Sequence, residues 1–303
     1  MSLGDLVVAV EEPETPAARM ASAWRSPKLF FGAGIILLIL LSSILGRIFV
    51  DTDLSRAASS PLNLPPMWIS GGNSAHPLGT ENSGRDLLAL LVVGGPTTVQ
   101  IGVIVGLSSM IIGIILGFTA GYLGGAVDAV VRTIADTALT IPSLAILIVI
   151  SSYVREMNVS TMALVVSLFA WAGPTRLLRA QVLSMREQGY VRMAKLTGLS
   201  TPKIMFGELA PNLLPYLASS FIGAASGGIL AAVGLEALGL GPQRIPTLGM
   251  TISNAIQGSA ILRGMWWWWG APTLVLMLIF ISLFLIAIGL DEVSNPRLRG
   301  LGK

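Results

Sequence analysis

Side chains able to do chemistry are scarce in this sequence. Cysteine is absent and His76 is the one histidine. A disulfide framework, a thiolate metal site, a two-histidine metal site and a multi-histidine relay are therefore excluded. No Gly-x4-Gly-Lys-Ser/Thr segment is present to cradle nucleotide phosphates. The long apolar runs hold almost no Asp, Glu, Lys or Arg. A catalytic cluster at membrane depth is not expected, and neither is the buried ionisable relay of a proton-coupled carrier. The chain reads as a non-enzyme with no metal or cofactor of its own.

Two segments concentrate the remaining polar residues. The first is His76-Pro77-Leu78-Gly79-Thr80-Glu81, followed by Gly84-Arg85-Asp86. His76 could act as a ligand or a pH sensor, but a turn residue before Pro77 is the preferred reading. Arg85 and Asp86 are expected to form an exposed pair that orients the loop, a contact of about 0–1 kcal/mol. The second segment, Arg176 to Pro215, is basic and amphipathic. A helix over residues 180–196 would place Val182, Met185, Tyr190 and Met193 near one face. Gly198 allows a sharp turn, Ser200 can cap a second helix with Pro202 in its first turn, and Pro211 and Pro215 mark the return to the membrane. A short helix-Gly-helix suits docking into a partner's groove. A plain surface connection fits the pattern equally well.

Two further features carry alternatives. The run Trp266 to Trp269 reads as an interfacial belt, with a stacking platform for sugar rings or peptide side chains as the alternative; the belt is preferred because consecutive residues point round a helix and cannot all face one site. Gly223, Ala224, Ala225, Ser226, Gly227 and Gly228 allow close helix approach, either at a subunit interface or along a pore.

The elements that must position these residues are membrane helices. The chain is 53% hydrophobic and 12% charged, with a mean hydropathy of +0.77. That leaves too little polar surface for a soluble globule, which carries roughly 25% charged residues. Net charge is only +3, so no nucleic-acid partner is expected. Six stretches satisfy the requirement of about 20 apolar residues. They run from Leu29 to Gly46, from Thr97 to Gly121, between Asp136 and Arg155, between Glu156 and Arg176, between Glu208 and Glu236, and between Arg263 and Asp291. The fold class is an all-α polytopic membrane protein with six transmembrane helices and a cytoplasmic coupling-helix loop. The organisation expected is a cytoplasmic N-terminal segment with an elbow over 1–28 and a first transmembrane helix over 29–50. An external loop over 51–96, a five-helix core over 97–290 containing the loop 180–211, and a cytoplasmic tail over 291–303 complete it. Arg176, Arg179, Arg186, Arg192, Lys195 and Lys203 crowd one loop. The positive-inside rule then puts that loop and both termini in the cytoplasm of a bacterial or archaeal cell, with the chain in the inner membrane. A second long external segment, from Glu236 to Arg263, is broken by Gly239, Gly241, Pro242 and Pro246.

The stretch Tyr190-Val191-x-x-Ala194-x-x-x-Gly198-Leu199-Ser200, then Ile204 and Glu208-x-x-Pro211-Asn212, resembles the coupling loop of binding-protein-dependent ABC importer permeases. Arg192 and Met193 stand where that family's name-giving Glu and first Ala would be, and Glu208 stands where a His is common. His76 to Asp86 resembles the signature loop of the C-type permease of the dipeptide and oligopeptide branch. Pro96 replaces an Arg usual before the second span. Leu238-Gly239-Leu240-Gly241 with Pro246-Thr247-Leu248-Gly249, and the terminal Asn295-Pro296-Arg297-Leu298-Arg299, resemble two more family segments in the expected order.

The resemblance implies alternating access driven by ATP and Mg in partner subunits. Glu187, Tyr190, Val191, Ala194, Gly198, Ser200, Glu208 and Pro211 would couple to the ATPase, with His76, Gly79, Thr80, Gly84, Arg85 and Asp86 in the external signature. It implies as partners a second homologous permease, one or two ATPase subunits and an extracytoplasmic solute-binding protein, beside membrane lipid. Di- or oligopeptides are the solutes it suggests, with oligosaccharides or nickel chelates as the alternative.

Overall fold

A computed structural model describes residues 26–294. The expected elbow and the 295–299 segment lie outside the described residues, apart from Ser26 to Lys28. Among the described residues there is no strand, only an isolated antiparallel bridge between Thr80 and Asp86. The helices are α1 (Pro27–Phe49), α2 (Leu87–Leu123), α3 (Gly125–Thr140), α4 (Ser143–Tyr153), α5 (Val159–Ala170), α6 (Ala172–Met185), α7 (Gly189–Leu196), α8 (Thr201–Ala237), α9 (Leu248–Gln257) and α10 (Trp266–Ser294).

Among the described residues, α1, α2, α8 and α10 are each long and apolar enough to cross a membrane. The bent pairs α3–α4 and α5–α6 raise the number to six if each is one span. The chain is thus an all-α polytopic membrane protein. The stretch expected as the third span is not straight. It bends by 80° between Thr140 and Ser143, where Pro142 removes a helical N–H and pushes Ile141 into an extended conformation. The fourth bends by 46° where α5 passes into α6.

The central helix is α2, and α1, α5, α6, α8 and α10 all pack on it. Small residues let them approach. Gly102 faces Ile229 and Ala225 of α8, Gly106 faces Phe221, and Gly113, Gly117 and Gly121 face Pro174 to Val182 of α6. Side chains of Phe30, Leu38, Ile48, Ile111, Ile115, Leu274 and Phe284 stay exposed, as lipid-facing residues do.

Three boundaries differ from the sequence expectation. Helix α2 starts at Leu87 and not at Thr97, so the loop ends ten residues before the expected 96 by its numbering. Asp86 provides the start: its side chain accepts from the Ala89 N–H, and Pro96 is carried inside the helix. Helix α8 starts at Thr201 and not after Glu208. Pro211 and Pro215 sit inside it, and the turn before them, Ile204–Leu209, widens to a π-helix. That widening fits prolines that cannot donate to the preceding turn. Finally, the segment from Glu236 to Arg263 contains α9, capped by the Thr247 side chain on the Met250 N–H.

Candidate functional site

The two segments singled out by the sequence lie at opposite ends of α2, which at 37 residues is about 55 Å long. At its start lies a folded cap formed by residues 50–86, α9 and the first turn of α10. At its other end lies the α6–α7–α8 connection.

In the cap, the signature residues point inward. His76 Nδ1 is 2.9 Å from Asp86 Oδ2, and both side chains are buried. Asp86 also caps α2 through Oδ1 at 2.8 Å. Arg85 and Asp86 therefore do not form the expected exposed pair. Arg85 turns instead to Glu81, with Nε 3.1 Å from Oε1, at an angle that leaves both groups without a hydrogen bond. Glu81 is fully buried, and burial pushes its carboxyl above the usual range, against the pull of Arg85. Thr80 Oγ1 donates to the Pro61 carbonyl at 2.6 Å and accepts from the Leu64 N–H at 2.9 Å. Gly79 and Gly84 take φ values of 81° and 69°, which only glycine adopts freely.

The tryptophan run is divided by this cap. Trp266 and Trp269 are exposed, as an interfacial belt requires, but Trp268 is completely buried against Leu87, Ala255 and Ala260. Trp267 is partly buried, and its Nε1–H approaches the Thr80 carbonyl at 3.4 Å. Helical rotation of 100° per residue splits four consecutive rings between lipid and protein. Sequence reasoning also passed over Glu236. This buried carboxylate accepts from Thr247 Oγ1 at 2.7 Å, while the Leu248 N–H donates to Thr98 Oγ1 at 3.0 Å, so α8, α9 and α2 are joined. The signal was available in Thr247, a helix-capping residue directly before an apolar run.

At the other end, the expected helix over 180–196 is interrupted at Arg186 to Gln188. Val182 belongs to α6 and is buried, whereas Tyr190 and Met193 belong to α7 and are exposed. The four residues do not share a face. Glu187 lies in the break, 3.1 Å from Arg186 and 3.4 Å from Arg192. Val191 and Ala194 anchor α7 to Leu178, Val182, Ile204, Leu209 and Leu213. Lys195 lies over the Tyr122 ring at 5.0 Å.

Helix α7 ends in a Schellman motif. The Leu199 N–H donates to the Ala194 carbonyl at 3.2 Å and the Gly198 N–H to the Lys195 carbonyl at 3.1 Å. Gly198 has φ of +77°. Ser200 occupies the position before the next helix, but its side chain makes no capping bond. Glu208 lies in the π turn near Tyr190. Burial first, then the Glu208 charge, raises the Tyr190 phenol above its ordinary value. Pro211 opens the regular part of α8, and Asn212 Nδ2 donates to the Glu208 carbonyl at 2.8 Å.

The result is a loop with two faces. Val191, Ala194, Ile204 and Leu209 are buried against the bundle. Tyr190, Met193, Leu196 and Leu199 remain 39%, 61%, 81% and 39% exposed. Between the two ends, Gly223 and Gly227 of α8 face a groove of about 750 Å³ shared with α4, α5 and α6. Gly228 also lines this groove and packs on Val105 of α2. Among the described residues no group of three or more His, Cys, Asp or Glu could hold a metal ion.

Residues 113–300 match the family model described as binding-protein-dependent transport system inner membrane component. The chain is similar to the oligopeptide transport system permease protein OppC of Lactococcus lactis, at 31% identity over 78% of this chain and 80% of that protein. It is also similar to the dipeptide transport system permease protein DppC of Haemophilus influenzae, at 30% identity over 95% of this chain and 97% of that protein. A third relative is the oligopeptide permease OppC of Bacillus subtilis, at 26% identity over 95% and 94%.

Proposed function

The chain belongs to the binding-protein-dependent transport system inner membrane component family, and from that premise we propose that it is a permease subunit of an ATP-driven importer of di- or oligopeptides. The observation that carries the energy-coupling part is the outward apolar face of α7, with Tyr190, Met193 and Leu196 exposed while Val191 and Ala194 are fixed to the bundle. That face seats in a partner ATPase subunit, where ATP and Mg are bound and hydrolysed. Closure of the ATPase pair pushes on α7. Because Val191 and Ala194 share a core with Leu178 and Leu213, the push reaches α6 and α8 as a rigid-body displacement.

In this reading the α7 end and both termini are cytoplasmic, and the cap receives solute from an extracytoplasmic binding protein. A second, homologous permease faces the groove along Gly223 and Gly227, and the pathway runs between the two. Glu187, Tyr190, Gly198, Ser200, Glu208 and Pro211 serve the ATPase contact. His76, Gly79, Thr80, Gly84, Arg85 and Asp86 hold the cap rigid. The peptide assignment is carried by the names of the relatives, peptide permeases that match this chain over 80% and 97% of their own length.

The test is co-purification of the tagged chain in mild detergent. A second permease and ATPase subunits should be recovered, and Leu196→Glu should lose the ATPase while keeping the permease. Recovery of the chain alone, or an ATPase indifferent to charge at Leu196, would refute the assignment.

A further inference from the structure

The cap end holds a cavity of about 580 Å³ between the last turns of α1, the first half of α2 and the start of α5. Ser43, Arg47, Thr97, Gln100, Asn158 and Ser160 supply its polar lining, and no Asp or Glu lines it. Their hydrogen-bonding capacity is largely unspent. Thr97 donates to the Val93 carbonyl. Asn158 accepts from the Thr161 N–H through Oδ1, which leaves its amide N–H groups free. Among the described residues the side chains of Ser43, Arg47, Gln100 and Ser160 have no hydrogen bond or ion pair. Gln100 is an uncharged amide one turn beyond Thr97 on the same helix. Arg47, Gln100, Asn158 and Ser160 are exposed towards this open cavity, so their donors are accessible to a ligand.

All of the unspent capacity can be offered as donors, and the one charge is a guanidinium. Guanidinium presents a planar fork that matches a carboxylate or phosphate in two parallel bonds. Neutral amides and hydroxyls around it complete the shell of an oxyanion. Glu156, the acid that lines the adjoining cavity, pairs with Arg244 at 3.0 Å.

We propose that this cavity is an oxyanion site with Arg47 as its counter-ion and Gln100 and Asn158 as orienting donors. Its ligand is either the terminal carboxylate of the solute, a source that rests on the peptide-importer reading, or the phosphodiester of a lipid.

The experiment uses the complex purified through a tag on this chain. In nanodiscs of phosphatidylcholine alone, binding of trialanine is compared with binding of trialanine amide. In nanodiscs doped with phosphatidylglycerol, the retained lipid is counted by native mass spectrometry. A charge-assisted contact corresponds to roughly ten-fold or more in affinity. Wild type should therefore prefer trialanine over its amide by about that factor, or retain phosphatidylglycerol. Arg47→Ala should abolish whichever preference is seen, Arg47→Lys should restore part of it, and Gln100→Leu should reduce it with Arg47 in place. A trialanine preference assigns the solute carboxylate, and lipid retention without one assigns the phosphodiester. Absence of both, or equal behaviour of wild type and Arg47→Ala, overturns the site. Arg47-dependent lipid retention in a chain that recovers no ATPase would leave the site standing while the importer reading fell.

Discussion

Gly198 offers a graded test of the coupling loop. Its φ is +77°, and a Cβ built there meets nothing within 4 Å. The cost of a substitution is thus backbone conformation alone. Alanine in the left-handed region costs about 1–2 kcal/mol, a factor of about 5–30 in the population of the ordered turn. Asparagine tolerates that region better and should cost less. Proline has φ fixed near about −65° and also removes the N–H that reaches the Lys195 carbonyl at 3.1 Å, so the Schellman turn cannot form. Because the loop is at the surface, all three variants should insert at wild-type levels. In reconstituted complexes, the ratio of solute uptake to ATP hydrolysis should fall in the order Gly, Asn, Ala, Pro, with Pro uncoupled. Normal solute-driven uptake by Gly198→Pro would refute the argument. Equal losses for Asn, Ala and Pro would also refute it, because the three differ in the backbone cost they carry at this φ.

Three further outcomes follow from the cap. Asp86→Ala removes a helix cap of about 1 kcal/mol and a buried charge-assisted bond of about 1.5–3 kcal/mol. Its unfolding midpoint in detergent should drop well below that of Asp86→Asn, which keeps the cap. Burial holds the Glu81 carboxyl above its usual range. The unfolded chain therefore releases this proton first, and stability falls as pH rises from about 4.5 towards the folded value. Glu81→Gln should flatten that part of the pH profile, and thermal unfolding of both proteins at pH 4.5 and at neutral pH checks it. Trp268→Ala empties a fully buried site and should cost about 3–5 kcal/mol, while the exposed Trp269→Ala should cost under about 1 kcal/mol by the same melt.

The membrane class, the approximate positions of the spans and the turn at Gly198 could be read from the sequence. Each rests on a local property: charge depletion over about 20 residues, or the freedom of one residue without a Cβ. The residues of the 76–86 loop were also identifiable by type, but not their pairing. Asp86 is flanked in the chain by Arg85, yet its partner is His76, because capping α2 turns its carboxylate inward. Helix ends were misplaced for the same kind of reason. Pro96 reads as a boundary until Asp86 is seen to start α2 earlier, and Pro211 reads as a start until the π turn shows how α8 carries it. Which of four adjacent tryptophans is buried, which apolar residues of α7 stay exposed, and which donors line one cavity with Arg47 are relations between elements far apart in the chain. Only packing decides them, since a helical period fixes a residue's angle about its own axis and says nothing of what lies opposite.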